Sequence, residues 1–164
     1  WLLCGIGVVP QRFAPLSPLG DRGVFIFKKV VESMAELKDI DIELAKLLLE
    51  QVEKEGARDL NWTYEDVASE LSKRLGRSIN AHFGLRVPLG VVMELCFDLD
   101  LPLITAIVRR KGTKEGVGDG FYALACDLKP QYKELEPLKA WKQELMQIRQ
   151  CDDWSALRDY LNRL

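Results

Sequence analysis

Thr63-Tyr64-Glu65-Asp66-Val67-Ala68-Ser69-Glu70-Leu71-Ser72-Lys73-Arg74-Leu75-Gly76-Arg77-Ser78 decides how the chain is read. Thr63 can accept a hydrogen bond from the amide three residues on, and Asp66 can reach back to it. That is the start of a helix. Val67, Ala68, Leu71 and Leu75 form its apolar stripe and Gly76 ends it, so the pattern predicts a helix over 63–75. Leu60, Trp62 and Tyr64 alternate ahead of it and should pack under it. Beyond the turn Gly76-Arg77-Ser78, Ser78 can cap a further helix through Ile79-Asn80-Ala81-His82-Phe83. Gly84 and Pro88 should leave that helix short or interrupted.

Working outward, residues 39–55 read as an amphipathic helix. Ile42, Ala45, Leu48, Leu49 and Val52 fall on one face, Asp39 or Asp41 can cap the start and Gly56 suits the end. A helix is expected over 89–98. Pro102 then opens the apolar, β-branched run Leu103 to Val108, which reads as a buried strand. Four glycines in the nine residues Gly112 to Gly120 mark a loop, and Phe121 to Cys126 return as a strand or a short helix. Residues 137–149 read as a helix with Leu138, Trp141, Leu145 and Ile148 inward. A last helix over 154–163 can be capped by Asp152 or Asp153. The expectation is a mainly α fold with a small β-hairpin (α+β), winged helix-turn-helix-like, formed by 34–164. Residues 1–33, rich in Pro and Gly, read as an N-terminal extension; the opposite reading makes 24–31 a strand of the fold.

The chain has 164 residues, 48% of them apolar and 29% charged, which excludes a disordered polyelectrolyte or a collagen-like fibre. No run of about 18 uncharged apolar residues suggests a membrane span. The net charge of −2 is unevenly spread. Residues 34–70 hold 4 basic and 11 acidic side chains, whereas residues 71–120 hold 8 basic and 5 acidic. The basic part falls in two clusters: Lys73, Arg74, Arg77 and Arg86 around His82, and Arg109, Arg110, Lys111 and Lys114. Such local patches bind polyphosphate backbones, because neutralised phosphates release counterions.

Catalytic and metal chemistry find little footing. The cysteines, Cys4, Cys96, Cys126 and Cys151, lack the close spacing of a zinc site, and His82 is the one histidine. Reduced cysteines in a cytoplasmic protein are expected, with two disulfides in a secreted one the alternative. Glu65-Asp66 and Asp152-Asp153 sit at helix starts, where capping explains them. His82, Ser69 and Ser78 have no evident catalytic partner. Gly116-x-Gly118-x-Gly120 is not followed by the Gly-Lys-Ser/Thr of a phosphate loop. No cofactor or metal is called for, and an enzyme is not indicated.

Two resemblances rest on these residues. Thr63 to Ala68, a short turn-helix, Leu101-Pro102-Leu103-Ile104 and a glycine-rich turn ending in Gly120-Phe121 resemble the winged-helix layout of DNA alkyltransferases and alkyltransferase-like proteins. That family's Pro-Cys-His-Arg signature would fall near Thr105 to Val108; no cysteine stands there, so alkyl transfer is not implied. The same stretch, with a late Trp, is similar to helix-turn-helix-like modules of bacterial restriction, defence and mobile-element (phage-related) proteins. Both resemblances imply a DNA-binding module. Ser78, Asn80 and His82 would meet groove edges and Arg77 and Arg86 phosphates. Arg109, Arg110, Lys111 and Lys114 would form the wing contact, with Thr63 and Tyr64 on the backbone. The rival expectation is a protein-interaction adaptor using helix 39–55 and Trp141, Trp154 and Tyr160; a small hydrolase or nuclease is a third.

Overall fold

The computed structural model describes residues 37–55, 62–112 and 116–164. The extension 1–33, the strand considered at 24–31, Leu60, Gly56, Cys4 and Lys114 lie outside them. The described chain runs α1 (Asp39–Glu55), β1 (Trp62–Thr63), α2 (Tyr64–Leu75), α3 (Arg86–Asp98), a 3-10 turn (Ile104–Ile107), β2 (Val108–Arg109), α4 (Asp119–Leu128), a second 3-10 turn (Pro130–Glu134), α5 (Pro137–Gln150) and α6 (Ser155–Leu161). It is a mainly helical fold with one small two-stranded sheet. Among the described residues no helix is long and apolar enough to cross a membrane.

α1 is the centre of the core. Leu44, Leu47, Leu48, Leu49 and Val52 are buried, and the helix packs against α2, α3 and α6. Each such side chain contributes about 1.5–3 kcal/mol by leaving water. Asp41 holds the start by accepting from the Lys38 N–H at 3.0 Å. α2 begins as the sequence predicts. The Asp66 N–H donates to Thr63 Oγ1 at 3.2 Å, and the Thr63 N–H donates to the Asp66 carboxylate at 3.0 Å. Gly76 ends it at φ +62°, a left-handed turn that suits glycine. Arg74 forks onto Glu50 of α1 at 3.1 and 2.6 Å, clamping the two helices.

The expected helix from Ser78 to Phe83 is a set of turns instead. Asn80, rather than Ser78, makes the cap: its Oδ1 accepts from the N–H groups of His82 (2.9 Å) and Phe83 (3.0 Å). α3 starts at Arg86, three residues earlier than expected. Pro88 is tolerated because it sits in the first turn, where its missing N–H has no intrahelical acceptor. The helix buries Val92, Met93, Leu95 and Cys96.

The hairpin is corrected. Ile104 to Ile107 form a 3-10 turn, and Phe121 to Cys126 belong to α4. The strands that do form are distant in sequence and run parallel, with Trp62 opposite Val108 and Thr63 opposite Arg109. The run 103–108 is buried on every side; such runs carry no periodicity that separates strand from other buried structure. In α5 the inward face is Ala140, Glu144 and Ile148; Leu138, Trp141 and Leu145 are half-buried. α6 begins beside Asp153, which accepts from the Ser155 N–H at 2.8 Å.

Candidate nucleic-acid interface

The parallel ladder brings one group of the expected residues together. Thr63, Tyr64, Arg109, Arg110 and Lys111 gather at the N-terminal end of α2. Much of this group is spent on the fold. The Thr63 hydroxyl donates to Asp66 Oδ2 at 2.7 Å while capping α2. These Thr63 bonds, through the hydroxyl first and the backbone N–H second, hold the Asp66 carboxyl below its usual range. The half-buried Tyr64 hydroxyl bonds the Gly118 backbone beside Arg110. Burial pushes its phenol up, and Gly118 and Arg110 offset part of that. Arg109 is half-buried; Lys111 is exposed.

The glycine-rich loop is drawn into the same corner. The Arg110 N–H donates to the Gly116 carbonyl at 2.8 Å. Gly116 has φ +77°, and a Cβ there would lie well inside van der Waals contact with the Trp141 ring. Trp141 is fixed in turn by its indole N–H, which donates to the Ala106 carbonyl at 2.8 Å. Gly116 is therefore needed to seat a tryptophan, not to approach a ligand. Gly112, at φ +76°, has open space around it.

The second group begins at the other end of α2 with Arg77 and Ser78 and runs along the chain to Arg86 at the start of α3. Twelve residues of helix separate the two ends, about 18 Å at 1.5 Å per residue. Here Arg77, Ser78, Asn80, His82 and Arg86 are all exposed. From Leu71 to Met93 the chain carries no Asp or Glu. Lys73 and Arg74 are nonetheless neutralised, by Glu70 and Glu50. Arg77 and Arg86 make no ion pair among the described residues. Nothing in the chain matches a known relative: no family model, no curated protein and no solved structure resembles it closely enough to register.

The segment presenting these residues is held rigidly. Ser72 Oγ donates to the Ala68 carbonyl at 2.6 Å and accepts from the Ile79 N–H at 2.9 Å. Asn80 then fixes the amides of His82 and Phe83, and the Gly84 N–H returns to the Asn80 carbonyl at 2.8 Å. A Cβ on Gly84 would come within 2.7 Å of that carbonyl, so the turn closes only with glycine. It leaves Phe83 84% exposed and Val87 64% exposed. Sequence reasoning placed Phe83 in a helix and missed its exposure; Asn80 and Gly84, the turn-forming residues around it, were the available signal.

Elsewhere the structure offers a polar centre that the sequence reading did not identify. Glu144, fully buried, accepts from the Leu103 N–H (2.9 Å), from Lys129 Nζ (2.5 Å) and from the Tyr132 hydroxyl. Burial and the adjacent carboxylate both push the Tyr132 phenol upward. Lys129 and Gln147 reach a cleft of about 300 Å³ that Asp100, Pro102 and Cys151 also line. Its cation is already balanced by Glu144, so the cleft has no net call for an anion. Among the described residues no three His, Cys, Asp or Glu side chains converge as metal ligands.

Proposed function

We propose that the chain is a non-enzymatic DNA-binding module, with α2, the 76–85 segment and α3 acting as a helix-turn-helix-like unit. The observation that carries this reading is the exposed pair Arg77 and Arg86, which make no ion pair among the described residues, in a stretch from Leu71 to Met93 whose sequence holds no Asp or Glu. The buried face of α3 is committed to the core, its first turn presents Arg86 and Val87 to solvent, and Glu94 and Phe97 are exposed further along. The exposed first turn suits a recognition element that meets base edges with its N-terminal residues. Ser78, His82 and the free amide side of Asn80 supply the polar edge contacts there. At the far end of α2, Lys111 and its neighbours Arg109 and Arg110 take the place of a wing. α2 is about 18 Å long, more than the ~12 Å width of a major groove, so groups at its two ends can meet phosphates on opposite sides. The cytoplasm is the compartment this reading assumes.

The adaptor reading has less to draw on. Trp154 and Tyr160 are buried, Trp141 is fixed on Ala106 and α1 fills the core, so its aromatic anchors are turned inward.

The test is a titration of a labelled 20-base-pair duplex in about 50 mM salt, where non-specific contacts are strongest. Wild type should bind, and Arg77→Ala with Arg86→Ala should weaken binding and lower the log–log salt slope by roughly 2. Absence of duplex binding by wild type overturns the proposal.

A further inference from the structure

We infer that Phe83 is a stacking platform for an unstacked nucleobase, so that the module favours single-stranded over fully paired DNA. The inference rests on the DNA-binding reading and adds the form of nucleic acid and the residue that reads it. Four observations carry it. Phe83 is the most exposed of the large apolar side chains among the described residues, at 84%. It is not on a loose tip: Ser72, Asn80 and Gly84 fix the backbone on both sides. Arg86 and Val87, three and four residues further on at the start of α3, are exposed as well. Its surroundings in the chain, with Arg77, His82 and Arg86 exposed and no acidic residue from Leu71 to Met93, suit a polyanion.

An exposed ring on a hydrogen-bonded turn, with Arg77 before it in the chain and Arg86 after it, offers the two things single-strand binding needs, a π-face for the base and positive charge for the backbone. A base within an intact duplex hides its face against its neighbours, so duplex DNA can use the arginines but not the ring. A protein partner fits the patch less well. A phenylalanine offers roughly 150–250 Å², and Val87 is the one other large apolar side chain exposed between Leu71 and Met93. A standard interface needs about 800 Å² per partner, and its core is depleted of charge.

Fluorescence anisotropy with the full chain tests this, using a labelled mixed-sequence 15-mer and the duplex formed from it. The variants are Phe83→Ala, Phe83→Trp and the Arg77→Ala/Arg86→Ala pair. Phe83→Ala should weaken single-strand binding roughly 5- to 150-fold, leave duplex binding within about twofold and leave the melting temperature unchanged, because the ring has few internal contacts to lose. Phe83→Trp should retain single-strand binding, and the arginine pair should weaken both probes. Unchanged single-strand binding by Phe83→Ala overturns the inference, as does an equal loss on both probes. So does wild type that binds the duplex and not the single strand, which leaves the DNA reading standing. Wild type that binds neither overturns both. A wild-type dimer in sedimentation that Phe83→Ala dissolves, with DNA binding unchanged, assigns the ring to a second copy and also overturns it.

Discussion

Replacing Glu144 with glutamine should cost more stability than its conservative shape suggests. Three donors converge on this fully buried carboxylate: the Leu103 N–H, the Lys129 ammonium and the Tyr132 hydroxyl. A glutamine keeps the volume but offers one acceptor oxygen and turns an NH2 toward the donors. At least one donor is then left unpaired, at about 1–3 kcal/mol for a neutral group and more for a charged one. Breaking one side of a buried ion pair costs roughly 3–5 kcal/mol in all. The Lys129 side chain is only 14% exposed, so water recovers little of its lost interaction. For a chain of 164 residues, at about 2–4 °C per kcal/mol, melting should fall by roughly 6–20 °C. Urea unfolding followed by tryptophan fluorescence gives the free energy, and calorimetry the midpoint. Lys129→Met should lose a comparable amount by stranding the carboxylate. The double variant should lose clearly less than the two singles together, because each removes what the other leaves unpaired. A loss below about 1 kcal/mol in Glu144→Gln, or strict additivity in the cycle, refutes the reasoning.

Two other expectations follow from the same coordinates. Gly116→Ala and Gly76→Ala both place a Cβ at positive φ, but only the first meets a neighbour, the Trp141 ring. Gly76→Ala should cost about 1 kcal/mol and Gly116→Ala about 2–4 kcal/mol in urea titrations; equal costs would remove the ring contact from the account. Burial pushes the Cys96 thiol up to about 12 from 9.0, so its contribution is complete below pH 9 and is lost as pH rises toward 12. The urea midpoint of wild type should fall over that range, less steeply in Cys96→Ala, and identical slopes would refute the assignment.

Legibility in the sequence followed the range of the interaction. The start of α2 was readable because Thr63 and Asp66 are three residues apart and satisfy each other. The hairpin was misread because the run 103–108 is apolar throughout, and the partner of Val108 is Trp62, far back in the chain. In α5 the apolar spacing pointed to Leu138, Trp141, Leu145 and Ile148, whereas the buried face is Ala140, Glu144 and Ile148. What the spacing could not supply was Lys129 and Tyr132, the groups that make burying a carboxylate tolerable. The basic clusters could be counted from sequence, but their neutralisation could not. Arg74 is answered by Glu50, 24 residues away on another helix.

That distinction decides which residues can report on function. Thr63, Tyr64 and Asn80 each hold part of the backbone in place. Removing them disturbs the fold before any ligand is considered, and a binding defect in such a variant carries no information about contact. Arg77, Arg86 and Phe83 show no comparable internal role: the first two make no ion pair among the described residues and the third is mostly in water. A surface side chain that contributes little to its own fold can change by substitution at a cost usually within about ±0.5 kcal/mol. The turn closed by Ser72, Asn80 and Gly84 carries such side chains on its exposed side. The same segment also feeds the core, through the fully buried Leu85 and through Ile79 packed against the main cluster, so a binding loss in a Phe83 or Arg86 variant counts as a lost contact only where its melting temperature is unchanged.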